Sequence, residues 1–235
     1  MTISHRNLSI IALLSLAFFA ASLSLSCSSG SPELRSENVK VLRVEGADGT
    51  FSERLSVFVS YEDSDGPADF GYLTVTHDET GLSWTINSDQ AEFRQWGKDR
   101  WIGSNILAGP AGSAIPTGSY TIVASDLAGN ETTAEISVTK QTFPERAPCS
   151  FAISGDTWTL ERNPDSAGFK RIWILLFNRD GTLVNSWKVP ESGTRVTTGS
   201  VMTLEAVAQN AVTAQCYAEN GAGTAGVLLS SIKMR

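Results

Sequence analysis

The stretch Pro116-Thr117-Gly118-Ser119-Tyr120-Thr121-Ile122-Val123-Ala124-Ser125-Asp126-Leu127-Ala128-Gly129-Asn130-Glu131-Thr132-Thr133-Ala134-Glu135-Ile136-Ser137-Val138 decides the fold. Tyr120, Ile122 and Ala124 fall on one side of an extended chain. Ala134, Ile136 and Val138 do the same beyond Gly129-Asn130. Apolar residues at a period of two, interrupted by residues that tolerate positive φ, predict a β-hairpin. The pattern continues outward. Leu55, Val57, Val59 and Tyr61 alternate, as do Leu73 and Val75, then Trp84 and Ile86. Turn clusters separate them at Asp63-Ser64-Asp65-Gly66-Pro67 and Asp78-Glu79-Thr80-Gly81. Short strands with regularly spaced turns predict an all-β sandwich.

Composition agrees. Only 18 % of the 235 residues are charged, and 20 are glycine. The balance of 18 Lys and Arg against 25 Asp and Glu gives a net charge of −7. An acidic chain lacks the cationic field that phosphate backbones require, so nucleic acid is excluded as a partner. Two histidines and three cysteines leave little material for Cys/His catalysis or a His-rich metal site.

The motif from Pro116 to Glu131 resembles the last hairpin of bacterial Ig-like domains, which read PxGxYxxxxxDxAGN before a final strand. The resemblance implies an Ig-like β-sandwich spanning residues 38–140, with Tyr120 inward. Residues 141–148, with Pro144 and Pro148, are the expected linker. A second Ig-like sandwich is expected over 149–235. There Gly155-Asp156-Thr157-Trp158-Thr159-Leu160 resembles an Ig strand B. Trp173 stands where strand C carries its core tryptophan, and Gln215-Cys216-Tyr217-Ala218-Glu219-Asn220-Gly221 resembles strand F. Arg162 stands near the usual strand-B cysteine and Ala214 at the usual strand-F tyrosine, so the likeness is to the architecture. Trp158 and Trp173 are expected in the core. Met202 to Asn210 has the composition of a short helix.

The amino terminus reads as an address. Leu8 to Ala21 is an apolar run shorter than the roughly 20 residues of a membrane span and of signal-peptide length. Leu23-Ser24-Leu25-Ser26-Cys27 resembles a bacterial lipobox, with Ser24 where leucine is usual. The resemblance implies a signal peptide over 1–26, acyl chains on Cys27, and a flexible tether over 27–37. The expected place is the bacterial cell envelope, outside the cytoplasm, anchored to a membrane by lipid. Ordinary secretion is the alternative, since Ser24 and Ser26 also fit a small-x-small cleavage site. With Cys27 acylated, Cys149 and Cys216 remain as one pair, expected to form a disulfide in an oxidising compartment.

No GxSxG, HExxH, Walker A or CxxC motif occurs. His77 sits at a strand end running into a turn and is expected to be solvated. Asp63, Asp65 and Asp69 resemble a calcium loop but lack its twelfth-position glutamate, where Thr74 stands; an acidic turn is expected. These readings predict no enzyme, no cofactor and no metal. The densest cluster of unusual residues is Trp84, Phe93, Trp96 and Trp101, interleaved with Arg94, Gln95, Lys98, Asp99 and Arg100. Trp96 and Trp101 flank a Gly97-Lys98 turn and, with Asp99 and Arg100, form the expected binding site, Trp101 the more buried ring. The expected partner is an envelope or extracellular protein; the alternative is a glycan stacked on the aromatic faces.

Overall fold

The computed structural model describes residues 30–110, 113–166, 168–191 and 194–234. The expected signal peptide and Cys27 lie outside the described residues. The fold is all-β and sandwich-like. In the first block the strands are β1 (Glu33–Glu45), β2 (Phe51–Glu62), β3 (Phe70–His77), β4 (Ser83–Asn87), β5 (Glu92–Trp96), β6 (Asp99–Ala108), β7 (Gly118–Asp126) and β8 (Glu131–Val138). The second block holds β9 (Cys149–Ser154), β10 (Thr157–Arg162), β11 (Arg171–Phe177), β12 (Leu183–Val189), β13 (Val196–Ser200), α1 (Val201–Val207), β14 (Thr213–Glu219), β15 (Ala225–Leu228) and β16 (Ile232–Lys233). β1 begins at Glu33, so the last five residues of the expected tether are strand. Among the described residues no helix is long and apolar enough to cross a membrane.

One apolar core lies between β1-β2-β6-β5 and β4-β3-β7-β8, where Leu55, Val57, Val59, Leu73, Val75, Ile122 and Ala124 are fully buried. The hairpin of the opening motif forms as read, with Tyr120 opposite Ile136 and Ile122 opposite Ala134. Tyr120 is completely buried, and its hydroxyl donates to the Pro116 carbonyl at 2.7 Å. That bond ties the strand to the loop before it, as in the tyrosine corner of Ig-type sandwiches. Burial pushes the Tyr120 hydroxyl up to about 12.

His77 corrects the sequence reading. It is buried, not solvated. Its ring lies 4.7 Å from that of Tyr120. Nδ1 accepts from the Thr80 backbone N–H, and Nε2 donates to the Thr117 carbonyl at 3.1 Å. Gly118 has φ 134°, and a Cβ there would stand 3.0 Å from His77 Nε2. The glycine of the motif thus makes room for the histidine.

The second core packs β12-β11-β14-β15 against β13-β10-β9. Trp158 fills it at 1 % exposure, edge-on to Trp187 at 5.1 Å. Trp173 does not enter it. Ile172, Ile174 and Leu176 take the inward positions of β11, and alternation turns Trp173 to the opposite face. The short helix forms, capped by the Ser200 hydroxyl, which accepts from the Met202 backbone N–H. Cys149 and Cys216 meet in this core, but as thiols. Their Sγ atoms lie 3.2 Å apart, longer than the roughly 2.05 Å of an S–S bond, so the expected disulfide is not found. The bond from Cys149 and burial push the Cys216 thiol up, keeping it protonated.

One sheet runs through both blocks. Its strand order is β12-β11-β14-β15-β1-β2-β6-β5, with β16 beside β14. The join is the parallel pairing of Val41–Val44 in β1 with Ala225–Leu228 in β15. β1 therefore pairs with both blocks. Reading the sequence as two separate units did not anticipate this. Polar contacts reinforce the join: Arg43 donates to the Pro144 carbonyl at 2.6 Å, and Ser230 to Glu45.

Candidate functional site

The joined sheet turns one face to the two cores. The register defines what its other face carries. On the β5–β6 hairpin, Trp96 is opposite Asp99 and Arg94 opposite Trp101, and all four lie on this outer face. Gly97, at φ 63°, makes the turn. Trp96 is 40 % exposed. Its ring packs on Trp101 at 4.9 Å and on Phe58 at 6.0 Å. Trp101 is only partly buried, its indole N–H shielded and without a partner. The Arg94 guanidinium covers the Phe58 ring at 3.9 Å and is held by Glu92, which also accepts from Asn105. Phe58 is consequently 1 % exposed, although it points away from the core. Arg100 falls on the other face with Phe93. Trp84 stacks on Tyr120 in the opposite sheet and donates to the Ala108 carbonyl, which makes it part of the sandwich. The hairpin residues expected as one site thus divide: Trp96, Asp99 and Trp101 come together and Arg100 does not.

The outer face continues into the second block. Asn38 lies beside Phe58, Leu42 beside Gly226, Gly226 beside Glu219, and Tyr217 beside Trp173. Tyr217 lies over Gly226, where a Cβ would come within 2.3 Å of its ring. Trp173 packs on Tyr217 at 5.7 Å, with Lys188 above it. Between the two aromatic patches Glu219, its side chain 6 % exposed, accepts from Lys40 at 2.5 Å and pairs with Arg171 at 3.0 Å. Burial drives the Tyr217 hydroxyl upward, with Glu219 adding to the effect, while the charges of Arg171 and Arg94 oppose it. The two aromatic patches thus share the outer face of the joined sheet. Sequence reading missed Phe58, Trp173 and Tyr217 as members. The alternation of Ile172, Ile174 and Leu176 was the available signal for Trp173.

A second cluster lies at one end of the first sandwich. Carboxylate oxygens of Asp63, Asp69 and Asp126 all lie within 4.8 Å of one another, and these are the described residues with the geometry to hold a cation. Burial disfavours the Asp126 charge, but bonds from the backbone and side chain of Asn130 and from the Ala128 and Gly129 N–H groups outweigh it, and the group sits below its ordinary value. Asp69 is raised by burial, then by Asp126, Asp63 and Asp65. Its Oδ2 is shielded without a partner, although the residue as a whole is only partly buried. A raised folded value means that the charged form destabilises the fold at neutral pH, and that the cost disappears as pH falls through that value. Asp69→Asn is expected to raise the melting temperature at neutral pH and to make no difference in acid, where the carboxyl is protonated. Thermal melts across pH check this. A lower melting temperature at neutral pH would overturn it.

The class defined by fold and face is an all-β, sandwich-like protein with aromatic and charged side chains along the outer face of a shared sheet. No family model matches the chain, and no curated protein matches it. Solved structures similar to it include dimeric latent PorU from Porphyromonas gingivalis, at 15 % identity and TM-score 0.30, covering 87 % of this chain and 20 % of that one. The N-terminal Ig1-2 module of the Drosophila receptor protein tyrosine phosphatase DLAR is similar at 13 % identity and TM-score 0.39, over 86 % of this chain and 100 % of that one. The Group B Streptococcus pullulanase SAP follows at 12 % identity and TM-score 0.24, over 86 % and 23 %. The chain spans about a fifth of the PorU chain.

Proposed function

We propose that the chain is a non-enzymatic binding protein of a bacterial envelope, anchored through lipid on Cys27, whose outer sheet face takes a protein partner. The observation that carries this reading is the exposed Trp96 ring, packed at a tilt against Trp101 beside the Arg94 guanidinium. Tryptophan, tyrosine and arginine are enriched at protein interfaces, and here all three lie on one face of the sheet.

Replacing Trp96 and Trp101 together with Ala is expected to weaken partner binding by about 2 kcal/mol or more. Trp96→Ala alone should cost little stability because its ring is substantially exposed. Recovery of cross-linked partners from envelope fractions with wild type and double variant decides the matter. A double variant that retains every partner would remove this face from consideration, and loss of binding only to a glycan array would assign the face to sugars.

The anchor has its own test. Cys27→Ala should release the protein into the soluble envelope fraction. A variant that still pellets with membranes after a salt wash, with residues 1–26 removed, would refute the anchor.

A further inference from the structure

A cleft of about 410 Å³ opens at the end of the second block next to the 141–148 connection. It lies between the loop that follows β10 and the loop that joins β12 to β13. Phe169 and Ile172, both buried, form its apolar floor. Its volume falls within the range of roughly 300–1,000 Å³ typical of small-molecule sites.

Two polar groups in its lining have no hydrogen-bond partner among the described residues. Ser166 is 5 % exposed, and its Oγ makes no hydrogen bond. Arg162 donates from its Nη atoms to the Lys170 carbonyl at 3.3 Å and the Pro190 carbonyl at 2.8 Å. These bonds hold the guanidinium in place and leave its buried Nε–H without an acceptor. A buried donor without an acceptor is costly, and native proteins satisfy nearly all of them. The local charge is also uncompensated. Arg195 is paired with Glu161 and Glu191 with Lys188, whereas Arg162 and Lys170 have no carboxylate partner among the described residues. In a chain of net charge −7 this is a local excess of positive charge.

We propose that this cleft binds a small amphipathic carboxylate, with its acid group on Arg162 Nε–H and Ser166 Oγ–H and its apolar body on Phe169 and Ile172. Two donors match in number the two oxygens of one carboxylate, and Lys170, which also lines the cleft, carries the complementary charge. The site is separate from the aromatic outer face and does not depend on the reading given to it.

The test is a titration of the full chain with N-acetylphenylalanine, followed by NMR at the Arg162 Nε–H. N-acetylphenylalaninamide and a pentapeptide ending in phenylalanine are the comparison ligands. The acid should bind at least about tenfold more tightly than the amide, the scale of a hydrogen bond to a charged group. Binding of acid and peptide alike assigns the site to free chain ends; binding of the acid alone assigns it to a free small acid. Ser166→Ala should weaken the acid by about tenfold. Because Arg162→Gln also loses two carbonyl bonds, Lys170→Gln serves as the charge variant: its side chain makes no described hydrogen bond, and it should weaken the acid several-fold. Trp96→Ala with Trp101→Ala should leave the affinity unchanged. Equal affinities for acid and amide, or no shift at the Arg162 Nε–H up to about 10 mM ligand, would overturn the assignment.

Discussion

Glu219→Ala is expected to destabilise the protein by about 3 kcal/mol, or roughly 6–12 °C in melting temperature for a chain of this size. Glu219 is a nearly buried carboxylate between Lys40 of β1 and Arg171 of β11, and it also accepts from the Tyr217 hydroxyl. Its removal leaves two cations and a phenol without their common acceptor in a poorly solvated site. The partial exposure of Lys40 and Arg171 keeps the cost at the lower end for a broken buried pair. Replacing the whole set, Lys40→Met with Arg171→Met and Glu219→Leu, should recover most of the loss, because no charge is then stranded. Urea melts of the two variants check this. Equal losses would show that packing at the join matters and the ion pairs do not.

Trp158→Ala should cost about 3–5 kcal/mol, the range for emptying an aromatic position in a packed core. The Trp158 ring packs edge-on to Trp187 and lies directly over Gly199, where a Cβ would come within 2.5 Å of it. The more telling result is where the loss is felt. β1 is hydrogen-bonded to both blocks, so unfolding the second strips β15 from the shared sheet. A single calorimetric transition is expected in wild type and variant, with the first block shifting along with the second. Two transitions, only one of them moved by Trp158→Ala, would show that the parallel join is too weak to couple the blocks.

The candidate site was half legible. Trp96 and Trp101 stood out because tryptophans beside a Gly97-Lys98 turn exceed what a small core needs. Their companions did not. Phe58 belongs to a strand whose inward residues alternate cleanly, and nothing local in the sequence marks it as the residue that Arg94 covers. Tyr217 is 116 residues beyond Trp101 and joins the same sheet face only through the parallel pairing of β1 with β15. His77 was misread for a similar reason. A turn beside a strand end predicts solvent, and the groups that bury the ring, Thr117 and Tyr120, come from β7 and the loop before it.

What the sequence determined by itself is local. Period-two alternation in Tyr120-Ile122-Ala124 and the turn at Gly129-Asn130 follow from the geometry of neighbouring residues, and both formed as read. The all-β class follows from their repetition. Only the tertiary structure decided that β1 pairs in parallel with β15, bringing Val41 against Ala225 across 184 residues of chain. It also decided that the two cysteines meet as thiols and that Asp126, at the end of β7, joins Asp63 and Asp69 of the β2–β3 connection. Backbone hydrogen bonding is the same for every residue but proline, so a strand edge carries no sequence label for its distant partner. That choice is made by which faces must be buried together once both blocks have formed.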